Sequence, residues 1–267
     1  MFNRVQMHPC LSNDLSFLTP QLGVDSLPLE LQELIDLQTD SPEILAEESA
    51  AAESDWPVSI FIPERYEENY SYPLVIWFHE AGGNEDDIET VMHSISPQNY
   101  CGLALRGNRR MSGRDSFEWN HDSLSFGEVP LARLVNITTR RLRRAFHIHS
   151  ERIFVAGAQA GADVALQLLL QHSDWFAGAI LLDPTCDPEH MHGVFPGDLR
   201  GKHVLQTVSR NASNETLARN VEAVRLLRSA GVKLDVRMSE SPLNPYGPDV
   251  RFIDHWLLSR ISQAAFV

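Results

Sequence analysis

The sequence predicts an α/β protein built on a mostly parallel, doubly wound sheet with helices on both faces. Short β-rich apolar runs alternate with amphipathic helical segments from Trp56 onward. One of those strands passes through a sharp, glycine-flanked turn straight into a helix. The chain has 267 residues with 43% hydrophobic content, enough for one large core. Strands separated by helices run parallel through right-handed crossovers, and such a sheet must be covered on both sides.

The elements follow in order. VSIFI and PLVIWF are short apolar runs of strand type, EDDIETVMHSI is helical, and CGLALR returns to strand. VPLARLVNITTRRLRRAF sets Leu131, Leu134, Val135, Ile137, Leu142 and Phe146 at helical spacing. RIFVAG reads as a buried strand and ADVALQLLLQH as the helix after it. AGAILLD, HVLQTV and KLDVRM are three more strands, and ETLARNVEAVRLLRSAG and PDVRFIDHWLLSRI are the helices that accompany them.

Charge separates the first 55 residues from the rest. Eleven Asp and Glu stand there against Arg4 alone, so 1 minus 11 gives -10 of the total -14. Within this stretch Leu27, Leu31, Leu34 and Ile35 form one apolar face. Residues 1–55 are therefore expected to be an acidic N-terminal extension with one short amphipathic helix, and residues 56–267 the α/β domain. The extension serves as a solvated leader or as a partner-binding segment. A pI of about 5.2 implies repulsion from phosphate backbones and anionic lipid, so nucleic acid is not an expected partner. No run approaches the ~18 apolar residues of a spanning helix, and the first residues do not read as a secretory signal. A cytoplasmic location is expected. Cys10, Cys101 and Cys186 have no zinc-like spacing and read as reduced thiols. The N-x-S/T matches at Asn136, Asn211 and Asn214 then carry no weight.

RIFVAGAQAGADVALQLLL has the strand–turn–helix form of the G-x-S-x-G nucleophile elbow, with Gly157 and Gly161 at the two glycine positions. The middle residue is Gln159. YPLVIWFHEAGGNEDD, LALRG, HIHSERIFVAGAQAG, FAGAILLDP and FIDHWL agree in order and spacing with one known family. The chain resembles the phospholipase/carboxylesterase family of α/β hydrolases, which includes acyl-protein thioesterases and feruloyl-esterase-like relatives, over roughly residues 57 to 263.

The resemblance implies an α/β-hydrolase fold and a Ser-His-Asp triad for ester or thioester cleavage. Carried over by position, the serine falls on Gln159, whose amide is neither a useful nucleophile nor a usable proton donor to a base. The acid position after HVLQTV falls on Asn211 and Ala212, with no carboxylate before Glu215. The base position in SESPLNPYG falls on Leu243 or Asn244, and that loop holds no histidine. The oxyanion loop is His79, Glu80, Ala81, Gly82 and Gly83, where Glu80 replaces the family's first glycine. A carboxylate there opposes the charge that such a hole stabilises.

Other groups were weighed beside these. Cys186, Asp187, His190 and His192 fall within seven residues, yet Cys-x3-His-x-His is not a usual zinc spacing, and no metal or cofactor is expected. Cys186 with a neighbouring histidine would imitate a cysteine hydrolase. His255 reads as a surface residue, Asp163 as helix-dipole compensation, and Arg140, Arg141, Arg143 and Arg144 as a solvated or leader-pairing face. Phe117 and Trp119, in the long loop after LALRG, either line a pocket or pack the loop. The sequence thus points to an α/β-hydrolase-fold protein that is non-catalytic and binds a small acyl-type ligand or a protein. The alternative is a carboxylesterase or thioesterase acting through a displaced nucleophile, Cys186 or a serine of residues 107 to 127. A third reading is a scaffold that works through the acidic extension.

Overall fold

In the computed structural model, residues 4–7, 56–113, 115–126, 129–187 and 198–264 are described. The strands are β1 (Arg4–Met7), β2 (Val58–Phe61), β3 (Tyr72–Phe78), β4 (Cys101–Leu105), β5 (Ile148–Ala158), β6 (Gly178–Leu182), β7 (His203–Ser209) and β8 (Lys233–Ser239). They form one sheet in the order β1-β2-β4-β3-β5-β6-β7-β8. The helices are α1 (Asp87–Ile95), α2 (Leu131–Ala145), α3 (Ala160–Gln171), α4 (Asn214–Ser229) and α5 (Phe252–Ala264). β2 pairs antiparallel with β1 and β4, and every pair from β4 to β8 is parallel. The parallel majority follows from the helices that separate the strands.

The chain divides into two compact units. One contains residues 1–7, 57–124 and 147–267, which include all eight strands and α1, α3, α4 and α5. The described part of the other is α2 with the two-residue ladder of Ser125–Phe126 and Val129–Pro130 before it. α2 buries Leu131, Leu134, Val135, Ile137 and Leu142, as its periodicity predicts. Arg4–Met7, within the first 55 residues, pairs with β2 from Arg4↔Phe61 to Met7↔Val58. The reason is that β2 would otherwise present an unpaired backbone edge, a signal that side-chain charge does not carry. The helix expected at Leu27 to Ile35 lies outside the described residues, and no helix among the described ones is long and apolar enough to cross a membrane.

The core of the sheet unit lies where the patterns put it. All seven residues of β3 are buried, which is why PLVIWF has no polar alternation. α1 buries Ile88, Val91, Met92 and Ile95, and α5 contributes Ile253, Trp256, Leu257 and Ile261 to one cluster with Val75, Trp77, Phe154 and Ile180. α3 is buried on nearly every side, from Ala162 to Leu169. Because β3, β5, β6, β7 and β8 are parallel, the residues that follow them gather at one edge of the sheet. That edge holds His79, Gln159, Asp183, Arg210 and the loop 240–247.

The first turn of α3 is packed closely against the end of β3. A Cβ on Gly161 would strike the carbonyl oxygens of Phe78 and His79, and one on Gly157 would strike the backbone of Gly161. Backbone cannot swing away as a side chain can. Gly201, by contrast, has φ +78° with no atom within 4 Å of a built Cβ. Gly161→Ala is therefore expected to destabilise the fold by about 3 kcal/mol or more, and Gly201→Ala by only about 1 kcal/mol. Urea titration of the two variants measures the difference; equal losses would contradict the packing account.

Candidate functional site

Gln159 stands alone between β5 and α3, at φ 49° and ψ -116°. A residue with a Cβ at positive φ costs on the order of 1 to 3 kcal/mol and persists only where its neighbours fix it. Here they do. Its N–H donates to Leu182 O at 2.8 Å, and its own carbonyl accepts from Ala162 N and Asp163 N at 3.0 and 3.2 Å. The turn thus lifts the Gln159 side chain off the sheet, where it is exposed. This is the geometry of a nucleophile elbow, with a carboxamide in the nucleophile's place.

The loop His79 to Gly83 faces this turn. His79 is wholly buried; Gly107 N donates to its Nε2 at 2.9 Å, so the ring proton sits on Nδ1 and is donated to Glu80 O at 2.7 Å. Burial holds the imidazole below its ordinary pKa, which fits a neutral structural ring. Gly82 N donates to Phe117 O at 2.8 Å, Phe117 N to Gly83 O at 3.0 Å, and the Trp119 indole to His79 O at 2.9 Å. Phe117 and Trp119 are both buried, and the Trp119 ring lies 5.4 Å from Phe78 and 5.1 Å from His79. Of the two readings open for this pair, the geometry favours packing of the loop over lining a pocket.

Glu80 turns toward the elbow. Gln159 Nε2 donates to Glu80 Oε2 at 2.6 Å, so one hydrogen bond spans the gap between the two loops. Burial, and then the charge of Asp87, push the Glu80 carboxyl above its usual range. Asp87 accepts from Asn84 N at 3.1 Å and from the Tyr246 hydroxyl at 3.1 Å. Burial and the same two carboxylates raise the Tyr246 phenol. The amides of Glu80, Ala81 and Ala160 make no hydrogen bond among the described residues. Donors suited to an oxyanion therefore persist beside a carboxylate that repels one.

The positions expected for the acid and the base lie in two hydrogen-bonded turns. Arg210 N donates to Ser239 O at 2.9 Å, Asn211 N to Ser209 Oγ at 3.2 Å and Ala212 N to Ser209 O at 3.2 Å, which makes the acid position a tight polar turn. Leu243, at the base position, donates its N–H to Asp183 Oδ2 at 2.8 Å, and Asn244 accepts from Tyr246 N at 3.0 Å through its side chain. Asp183 was not singled out from sequence. It follows β6, has φ 48°, and burial pushes its carboxyl up. Among the described residues its Oδ1 is buried without a hydrogen-bond partner. The AILLD run was the available signal, since a carboxylate closing a buried strand must sit at the sheet's edge.

Two further expectations change. Cys186 is buried and its thiol is pushed up to about 12 by burial and then by Asp163, which lowers its share of reactive thiolate. Asp163 is itself buried; it accepts from Cys186 N at 3.0 Å and from the Thr185 hydroxyl, so it ties down the loop after β6 in addition to lying at a helix N-terminus. His190 and His192 lie outside the described residues, and those described hold no cluster of three metal-ligating side chains. His255 is exposed on α5, as expected.

No family model matches the chain. It is 26% identical over 178 residues to the Bacillus subtilis protein named "Putative hydrolase MhqD", covering 64% of this chain and 85% of that one. Among solved structures it is similar to the Bacillus cereus carboxylesterase at TM-score 0.58 and 20% identity, over 80% of this chain and 99% of the other. A Mesorhizobium loti carboxylesterase gives TM-score 0.58 and 20% identity over 76% and 94% of the two chains. A Dyadobacter fermentans phospholipase/carboxylesterase gives 0.55 and 14% over 75% and 95%. At these identities the likeness is one of fold.

The Glu80 carboxyl protonates at higher pH in the fold than in the unfolded chain. The stability that its protonation contributes is present at low pH and lost as pH rises through the raised value. Glu80→Gln keeps an acceptor for Gln159 and removes the charge facing Asp87. The variant is expected to be more stable than the native chain at neutral pH, with the gap closing as pH falls through the glutamate's range. Thermal melts across pH measure this; a constant gap would contradict it.

Proposed function

We propose that this chain, which has the α/β-hydrolase fold, is a non-catalytic protein that keeps the elbow and the facing loop as a binding site for a small acyl-type ligand or a protein partner. The observation that carries this reading is the Gln159–Glu80 hydrogen bond. Acyl transfer needs a nucleophile at the elbow, a base beside it and a hole for the developing oxyanion. Here the elbow offers a carboxamide, the base loop offers Leu243 and Asn244, and the loop beside the free amides carries a carboxylate. The displaced-nucleophile alternative finds less support. Cys186 is buried with a raised pKa, and the Ser116 hydroxyl is donated to Gly82 O at 2.8 Å.

A fluorophosphonate probe and short-chain p-nitrophenyl esters test the absence of serine-hydrolase chemistry. No stoichiometric labelling is expected, and labelling mapped to a single residue would overturn the reading. Gln159→Ser alone is expected to remain at least about 10²-fold below an active esterase, because general-base assistance is worth about 10²- to 10⁴-fold and no histidine is supplied. Full turnover by that variant would reveal a base from elsewhere in the chain. A thermal-shift series with fatty acids and acyl esters tests binding, with Glu80→Gln expected to alter the response.

A further inference from the structure

β8 is the last strand of the sheet, and among the described residues no strand pairs with its outer edge. Doubly wound sheets bury both faces of their strands, yet β8 is poorly covered: Val236 is 39% and Met238 51% exposed. The neighbouring helix α4 is equally bare. Of its sixteen residues only Asn220 and Leu227 are buried, while Val221 and Leu226 are 51% and 64% exposed. Four of the seven large exposed hydrophobic side chains among the described residues thus lie on two elements at one end of the sheet. Isolated surface apolar residues need no explanation, whereas a concentration at an open edge does.

The sequence of the strand says what fits there. β8 reads Lys233-Leu234-Asp235-Val236-Arg237-Met238-Ser239, and its charges are arranged about Val236. An antiparallel copy centred on Val236 places Val236 opposite itself, Asp235 opposite Arg237 on both sides, and Leu234 opposite Met238. Directly opposed unlike charges and apolar pairs are the stabilising cross-strand combinations, and like charges are the destabilising ones. Asp235 and Arg237 share the face toward α5, where Asp235 accepts from the Trp256 indole at 2.7 Å and Arg237 lies 4.1 Å over the Phe252 ring. Both are therefore held in place for a facing strand. The opposite face carries Leu234, Val236 and Met238, and α4 packs on the strand beside them.

We infer that the partner of this edge is a second copy of the chain, which pairs β8 with β8 across a twofold axis at Val236 and joins the two sheets into one. A twofold contact is isologous, so a strand whose charges are self-complementary about one residue is the kind of strand it requires. The exposed Val236 and Met238 add apolar contact to the edge pairing.

The full chain is to be measured by sedimentation velocity from 1 to 100 μM, concentrations chosen to bracket a micromolar dimer. A dimer is expected. Val236→Lys puts like charges opposite each other and is expected to weaken it by about 100-fold; Met238→Lys should weaken it as well, and both sites are exposed enough for the monomer to keep its melting temperature. Opposed residues of antiparallel strands lie about 4.5 to 5.5 Å apart at Cα, within disulfide reach. Val236→Cys in a Cys10→Ser background should accordingly form a covalent dimer on mild oxidation, whereas Met111→Cys, exposed elsewhere, should not. A monomer at 100 μM, or a dimer indifferent to both lysines and without the Val236 cross-link, would overturn the inference.

Discussion

The close approach of α3 to the end of β3 is the constraint on which the rest of the site depends. Gly161 lets the first turn of the helix lie directly on the carbonyls of Phe78 and His79, and Gly157 lets the turn close on itself. With that contact made, the residue between them has no choice but a positive φ, and its side chain is carried out over the sheet. The same contact brings the loop after β3 opposite the elbow. Glu80 then reaches Gln159. The scaffold thus imposes a meeting between two loops, and the residues placed there decide what the meeting does.

In this chain they make a polar bridge. Gln159 donates and Glu80 accepts, while Asp87 and Tyr246 form a second bonded pair near the same carboxylate. The chain holds Gln159 at positive φ. The strain belongs to the turn, and the turn to the packing of α3, so it survives a change of side chain. His79 shapes the same loop: its buried ring bonds Gly107 N and Glu80 O.

The two ends of the sheet are treated differently. At one end β1 pairs with the edge of β2. At the other, β8 ends the sheet with an ordered row of alternating charged and apolar side chains. The difference is legible in composition, since β8 carries an ion pair's worth of charge about its centre and β1 does not.

The sequence by itself determined the order and kind of the elements, because burial on both faces writes continuous apolar runs such as PLVIWF, and burial on one face writes the 3.6-residue spacing of α1 and α2. It also determined which residue occupies the elbow and that the loop before α5 holds no histidine, since both are matters of identity at a marked position. What the tertiary structure decided was orientation and partnership. Whether Glu80 faces Gln159, whether Phe117 and Trp119 line a pocket or pack a loop, and that Asp183 holds Leu243, all depend on groups between 34 and 79 residues apart that only folding brings together. β1 lay beyond sequence reasoning for a related reason: an edge strand is held by backbone hydrogen bonds, and backbone is the one part of the chain that every sequence has in common.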